Sequence, residues 1–148
     1  MVTAPLAALA VRADARDYAS AEDVLAEIDR LEAELDAQMS ALSAAMPAAG
    51  PLARSMRADH ERHRATRTVL RHRLGLGASA AAGPARKPAP RTLVALTALA
   101  QELVHAYAEG LPALRDPAAV DALAPHMVDD ARHLAVLQMW AEAEEPGA

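Results

Sequence analysis

Apolar side chains recur every three or four positions in four stretches of this chain, a spacing that places them along one face of a helix. The first stretch follows Ser20, a residue type that caps helices, and Asp23 three positions later completes a capping-box pattern. Pro47 and Gly50 interrupt the apolar spacing after Met46. The sequence therefore predicts a first helix from about Ser20 to Met46.

A stretch rich in alanine, glycine and proline separates the second predicted helix from the third. The second helix is expected to begin at Pro51, because proline fits the first turn of a helix, and to end at the glycines of residues 75–77. Prolines recur through the stretch that follows, so it is interpreted as a crossover linker. The predicted organisation is a flexible lead-in at 1–19, a helical hairpin at 20–75, a linker at 76–91 and a second hairpin at 92–143.

The second hairpin carries the same spacing of apolar residues. Its first helix is rich in leucine from Leu93 onward and weakens at Gly110. Asp116 offers a cap for the last segment, which reaches Trp140. Because proline cannot donate the backbone bond that continues a helix, Pro125 is expected to divide this segment into a short turn and a longer helix.

Composition supports an all-α protein of one domain. The chain has 148 residues, of which 53% are apolar, yet it contains no phenylalanine, two tyrosines and one tryptophan. Alanine is the best helix former, and β-branched residues, which favour strands, are sparse. A core of leucine, alanine, valine and methionine suits closely packed helices.

Charge and residue content exclude several classes of function. A net charge of −5 gives no general reason to expect nucleic-acid binding. No apolar run approaches the ~18 residues that a membrane span needs. The absence of cysteine leaves only nitrogen and oxygen side chains as metal ligands. No basic residue precedes the apolar start of the chain, so a cytoplasmic location is expected, with a remnant of an export signal as the alternative.

The first two helices carry opposite charges. Between Ser20 and Met46, seven acids face one arginine, a balance of −6, whereas between Pro51 and Leu74 seven arginines face two acids, a balance of +5. Neighbouring helices of opposite charge attract each other. The arginine-rich helix also lacks the aromatic residues on which single-stranded nucleic acids stack. Its charge is therefore interpreted as neutralised by the first helix.

A short motif, D-x-x-R-H, occurs once in each half of the chain. The two copies are 70 residues apart, and a glutamate lies 31 residues before the histidine of each copy. A unit with one acid on its first helix and one histidine on its second is thus used twice. The repeated positions are Glu32 and Glu102, Asp59 and Asp129, Arg62 and Arg132, and His63 and His133.

Acids and histidines on the apolar faces of these helices predict a buried metal site. Residues three positions apart share a helix face, so His60 lies beside His63 and Asp130 lies beside His133. An unpaired polar group costs roughly 1–3 kcal/mol when buried, and a shared metal would satisfy several at once. The predicted ligands are Glu32, His60, His63, Glu102, Asp130 and His133, with Glu27, Asp29 and Glu34 as competitors of Glu32 and with His105 as a further possible ligand.

Three segments resemble the ferritin-like superfamily. Residues 57–63, R-A-D-H-E-R-H, and residues 128–133, V-D-D-A-R-H, are similar to its A-D-E-x-x-H and D-E-A-R-H helices. Residues 106–114, A-Y-A-E-G-L-P-A-L, resemble the end of the third helix in small bacterial members. The chain departs from that pattern in having His60 in place of a glutamate and the shorter Asp130 in place of another.

The resemblance implies a four-helix bundle of two hairpins joined by a crossover. In many members the bundle holds two ions of iron (Fe) or manganese (Mn), with oxygen-dependent oxidation as the associated chemistry. Because His60 and Asp130 depart from the family pattern, the expectation here is one or two ions of iron, manganese or zinc (Zn), or none if the site is degenerate. The alternative hypothesis is a metal-free helical bundle with a degenerate site, acting as a structural or protein-interaction module. A homodimer is expected, and neither nucleic acid nor a membrane is expected as a partner.

Overall fold

A computed structural model describes residues 18–79 and 92–144 of the chain, and over these residues the fold is all-α without strands. A short 3-10 turn follows the first helix and another follows the third. This architecture confirms the prediction of an all-α protein with four main helices. The helices are α1 (Ala21–Ala45), α2 (Gly50–Arg73), α3 (Leu93–Gly110) and α4 (Pro117–Glu144). Nearly all of the predicted lead-in and most of the predicted linker, at residues 80–91, lie outside the described residues.

The four helices pack as a square around one apolar core. Helix α1 contacts α2 and α3, and α4 contacts the same two helices from the opposite corner. Leucines supply most of the core, for example Leu31 and Leu35 from α1 and Leu96 and Leu103 from α3, each at most 1% exposed. Each helix therefore turns one face toward the axis of the bundle, where polar residues on that face are brought together.

The predicted signals at both ends of the first hairpin are present. The Ser20 hydroxyl accepts a hydrogen bond of 3.2 Å from the backbone N–H of Asp23 and caps α1. At the end of α2, Gly75 has a φ of +69°, and the N–H of Leu76 bonds the carbonyl of Arg71 at 2.9 Å. This pair of features is the glycine-dependent stop that residues 75–77 predict.

The expected division of the last segment at Pro125 is wrong. Helix α4 runs without interruption from Pro117 to Glu144 and contains Pro125 within it. Because Pro125 has no N–H, the carbonyl of Asp121 lacks its usual partner four residues later. Both residues lie at exposed positions. Water can satisfy that carbonyl, while burial of the opposite face holds the helix together.

Helices α1 and α3 approach each other closely at Gly110. A Cβ atom at Gly110 would lie 2.5 Å from Cγ1 of Val24, so the contact requires a residue without a side chain. Tyr107, one turn earlier on α3, is fully buried, and its hydroxyl reaches Glu32 on α1. The close approach thus brings α3 within hydrogen-bond distance of the polar residues in the interior.

Candidate metal centre

Five of the six predicted ligands lie together inside the bundle, each at most 7% exposed. They form two overlapping groups, and within each group one ligand atom from every residue lies within 4.8 Å of the others. Asp130 belongs to both groups and so stands at the middle of the cluster. The first group is His60, Asp130 and His133, and the second is Glu32, His63 and Asp130.

The structure does not bring Glu102 to this cluster. Its side chain is exposed on α3, whereas Leu99 and Leu103 on either side of it point into the core. One residue along a helix turns the side chain by about 100°, so Glu102 falls beside the buried face of α3. Glu32 and Glu102 are therefore equivalent in the sequence repeat but not in their positions in the fold. His105 is partly exposed and also lies outside both groups.

Among the acids of α1, Glu32 alone is fully buried. Glu27 and Glu34 both form exposed ion pairs with Arg30, at 2.8 and 3.2 Å. Asp29 lies at the edge of the interior and bonds arginines of α2. The choice of Glu32 over its competitors, which the repeat suggested, agrees with its position.

Two of the histidines each lie between two carboxylates. The inner carboxylate is the buried Asp130 in both cases, and the outer one, Asp36 for His60 and Asp59 for His133, lies nearer the surface. His60 Nε2 lies 3.1 Å from Oδ1 of Asp130, and its Nδ1 lies 2.7 Å from Oδ1 of Asp36. His133 Nδ1 lies 3.6 Å from the same Asp130 oxygen, and its Nε2 lies 3.0 Å from Oδ2 of Asp59. Metal-binding histidines usually have one nitrogen on the metal and the other on a carboxylate or carbonyl, and these two imidazoles are oriented in that way.

His63 also lies between two carboxylates, and its outer carboxylate comes from the other copy of the motif. Its Nδ1 lies 3.0 Å from Oε1 of Glu32, and its Nε2 lies 3.5 Å from Oδ2 of Asp129. Asp129 on α4 thus faces the histidine of the α2 motif, while Asp59 on α2 faces the histidine of the α4 motif, His133. The repeated D-x-x-R-H motif therefore places an aspartate beside the histidine of the opposite helix.

Each motif arginine pairs with the aspartate of its own copy of the motif. Arg62 bonds Asp59 and Arg132 bonds Asp129, each three residues away on the same helix, with both arginine side chains exposed. These are the local ion pairs that the spacing predicts.

Several buried polar atoms in the cluster have no hydrogen-bond partner. They are Oδ2 of Asp130, Nδ1 of His133 and Nε2 of His63. Buried polar atoms are rarely left unsatisfied, and those that are call for a missing ligand or another specific explanation. The first two atoms face the interior of the cluster, so a metal ion there would satisfy them. The donor set of imidazole nitrogens and carboxylate oxygens fits a first-row divalent metal.

Arg67 is part of the cluster and lies on the buried face of α2, four residues after His63. Its guanidinium group binds both oxygens of Glu32, and its Nε donates to Oδ1 of Asp29 at 2.7 Å. The hydroxyl of Tyr107 donates to Glu32 at 3.1 Å and accepts from Arg67 at 3.2 Å. Glu32 is thereby neutralised by a permanent cation.

His126 is a second residue that sequence reasoning missed. Its ring stacks on that of His63, with centroids 4.0 Å apart and planes 15° apart, and its Nδ1 has no hydrogen-bond partner. It lies four residues before Asp130 on the same face of α4, and that spacing could have identified it. His126 closes the cluster on the side where Tyr107 packs against it edge to face.

The polar interior belongs mainly to the first hairpin. Positions 70 residues after Asp29, Asp36 and Arg67 are occupied by leucine, alanine and leucine, respectively. Only the motif on α2 and α4 is therefore shared by the two halves, and the outer carboxylate of His60 has no counterpart in the second hairpin.

No family model, curated protein or solved structure matches this chain. The resemblance to the ferritin-like superfamily therefore stays a prediction from the quoted segments. Within the described residues, none of the helices combines the length and apolar character needed to cross a membrane.

The carboxylates of the cluster favour ionisation despite their burial. Burial by itself would raise the pKa of Glu32, but hydrogen bonds from His63 and Arg67 outweigh it and hold that pKa below its usual value. Burial likewise opposes ionisation of Asp130, but the neighbouring imidazoles of His133 and His60 outweigh burial and lower its pKa. Both carboxylates are therefore ionised at neutral pH, as metal ligands must be.

The two histidines with shifted pKa values move in opposite directions. Burial disfavours the charged form of His60, but the hydrogen bonds to Asp130 and Asp36 outweigh burial and raise its pKa to about 10. Burial, together with the electrostatic effects of His63 and Arg67, lowers the pKa of His126 to about 4. In the metal-free protein at neutral pH, both nitrogens of His60 are therefore protonated and donate to Asp130 and Asp36, while His126 is neutral.

The raised pKa of His60 predicts a loss of stability at alkaline pH in the metal-free protein. The ordinary pKa is 6.5 and the folded-state pKa is about 10, so the folded protein holds an extra proton between these values. The contribution is complete below the lower value and is lost as the pH rises toward the higher one. With chelator present, we expect the free energy of unfolding to fall by about 1 kcal/mol per unit between about pH 7.5 and 9.5.

Urea denaturation at several pH values measures this slope, and His60→Gln should flatten it. The groups with lowered pKa values, Glu32, Asp130 and His126, change protonation at more acidic pH and do not contribute in this range. Equal slopes for both proteins would show that His60 does not hold the proton.

Proposed function

We propose that this protein binds a divalent first-row metal ion inside its helical bundle. The ligands are His60, Asp130 and His133, which lie together between α2 and α4. The observation that carries the proposal is the orientation of the histidines, each with one nitrogen toward an inner carboxylate and the other toward an outer one. A hydrogen-bond network that only stabilised the fold would not need this arrangement at three positions.

The second group of potential ligands makes room for a second ion. The two oxygens of Asp130 face different histidines, since Oδ1 lies near His60 and His133 whereas Oδ2 lies 3.8 Å from Nδ1 of His63. A second ion would be held by Glu32, His63 and Asp130. Arg67, however, already binds both oxygens of Glu32. The site formed by His60, Asp130 and His133 is therefore the primary one, and the second ion depends on release of Glu32.

Iron is the metal that best connects this donor set with the resemblance to the ferritin-like superfamily. When bound, iron held by imidazoles and a carboxylate supplies the chemistry of oxygen-dependent oxidation. In that function Asp130 would offset part of the charge of the ion, and Asp36 and Asp59 would orient the histidines. Tyr107 and His126 close the interior against water. Manganese and zinc fit the same donors.

Metal binding is tested by stripping the full-length protein with a chelator and titrating it with Mn²⁺, Zn²⁺ or, without oxygen, Fe²⁺. A ligand at 100 times its Kd stabilises the folded state by about 2.7 kcal/mol, so a clear rise in Tm is expected for at least one ion. Elemental analysis of the protein purified without chelator gives the stoichiometry. No bound metal and no rise in Tm with any of these ions would contradict the proposal.

Asp36 offers a test of the outer carboxylates. Replacing Asp36 by asparagine keeps the size of the side chain but removes the charge that orients His60, so we expect metal affinity to fall by about 10- to 100-fold. Competition with a chromogenic chelator measures the affinity. Glu22→Gln, an equal change of charge at an exposed position of α1, serves as the control and should leave affinity unchanged. Equal affinity of both variants would argue against an ion at His60.

The alternative function, a metal-free bundle that acts as a structural or interaction module, is favoured by one observation. The ion pair of Glu32 with Arg67 and the proton on His60 satisfy much of the cluster without a metal. A double variant, His63→Ala with His133→Ala, separates the two functions. Loss of metal binding supports the metal centre, whereas a change in stability alone supports the module, for which light scattering would then test the proposed homodimer.

A further inference from the structure

A cavity of about 620 Å³ lies beside the metal centre, near the end of α2. Helices α1 and α2 form its walls, and the residues after the glycine stop of α2 close one side. Its volume falls within the range of small-molecule binding sites, roughly 300–1,000 Å³. The charged residues in its lining are Asp29, Arg64, Arg67 and Arg71.

The lining of this cavity carries excess positive charge. Three arginines face one aspartate, and Glu32, just outside the lining, neutralises Arg67. Within the lining, Arg64 and Arg71 then remain against Asp29, a surplus of one positive charge, while Asp36, outside the lining, is shared between Arg64 and His60. Arg64 is more than half exposed, and its nearest carboxylate oxygen, on Asp36, is 3.9 Å away, so its guanidinium group is available to a ligand.

Arg71 supplies an independent sign of a missing ligand. Its side chain is only 6% exposed, and its Nε has no hydrogen-bond partner. Its Nη2 lies 3.2 Å from Asp29, which also accepts from Ser79 at 2.8 Å and from Arg67. Asp29 already accepts three donors, so the guanidinium groups in the lining offer more N–H donors than Asp29 can satisfy.

We propose that this cavity binds a small organic anion with one oxyanionic head group. Arg71 and Arg64 bind the head group, because guanidinium groups pair well with carboxylate and phosphate oxygens. Ala33 and Leu76 in the lining contact a short apolar body. The proposal is independent of metal binding, although Arg67 lines the cavity and also binds Glu32, so the ligand would lie one side chain away from the metal centre.

Calorimetric titration of the full-length protein tests the site, with chelator present so that failure of metal binding does not affect the result. The probes are hexanoate, hexyl phosphate and the uncharged 1-hexanol. We expect one anion or both to bind with 1:1 stoichiometry and at least about 10-fold more tightly than hexanol, since a charge-assisted hydrogen bond contributes about 1.5–3 kcal/mol. The tighter of the two anions identifies the head group. Binding of hexanol as tight as that of the anions, or no binding of either anion, would overturn the proposal.

Variants then locate the site. Arg64→Gln changes an exposed residue, so the fold should be retained, and Arg71→Gln removes the buried N–H donor. Each should weaken anion binding roughly 10- to 100-fold. Arg57→Gln, which makes the same change at an exposed position of α2 outside the cavity, should bind as the unaltered protein does. Unchanged binding in the Arg64→Gln variant, or equal losses in all three, would place the anion elsewhere and overturn the assignment.

Discussion

Replacing Asp130 by asparagine is expected to weaken metal binding by about 100-fold or more, because loss of a direct ligand should exceed the 10- to 100-fold cost of losing an outer partner. Asp130 is the one residue common to both groups of potential ligands. Its Oδ2 has no hydrogen-bond partner, so the side chain is available to an ion. Asparagine keeps the shape but removes the negative charge and one of the two oxygens. Affinity is measured by chelator competition, and occupancy by elemental analysis.

Asp121→Asn is the matched control for this prediction, since it makes the same change at an exposed position of α4. Its metal affinity should equal that of the unaltered protein. Because Asp130 also bonds His60, circular dichroism and denaturation are needed to show that the Asp130→Asn variant is folded. A folded variant that binds metal as tightly as before would show that the ion lies elsewhere.

Replacing Arg67 by methionine is expected to lower the free energy of unfolding by about 3–5 kcal/mol, because it leaves buried carboxylates without their cation. Arg67 is 1% exposed and pairs with Glu32, which is fully buried, and with Asp29. Methionine replaces the apolar part of the side chain, so little of the loss comes from packing. Urea denaturation in the presence of chelator gives the value.

Arg30→Met provides the comparison, since Arg30 pairs with Glu27 and Glu34 at the surface of α1. Exposed ion pairs contribute about 0–1 kcal/mol, so this variant should differ little from the unaltered protein. Adding Glu32→Gln to Arg67→Met removes the unpaired charge and should restore part of the stability. Equal losses for Arg30→Met and Arg67→Met would mean that the buried pair has no special role.

These two predictions concern different halves of the same cluster. On one side, Glu32 bonds Arg67 and Tyr107, and the charges of Glu32 and Arg67 cancel. On the other side, His133 and Asp130 have unsatisfied atoms, and the proton on His60 occupies the position where a cation would be favoured. A metal held there by His60 would have to replace that proton, so the affinity is expected to increase with pH.

The helices and the buried position of the histidines could be predicted from the sequence alone. Ser20 and the glycines of residues 75–77 mark helix ends through bonds to nearby backbone, which are local in the chain. His60 and His63 share a face with apolar neighbours on α2, and that relation depends only on the 3.6-residue period. For the same reason the pairing of Asp130 with His133 on α4 was predicted.

Only the tertiary structure decided which residues from different helices meet. Glu102 follows the repeat in sequence, but the rotation of α3, set by Leu99 and Leu103, leaves it exposed. The contact of Arg67 with Glu32 joins residues 35 positions apart, and sequence spacing does not encode the relative rotation and axial shift of two helices. A helix period specifies the direction of a side chain from its own axis, whereas its partner depends on how apolar surfaces of all four helices pack.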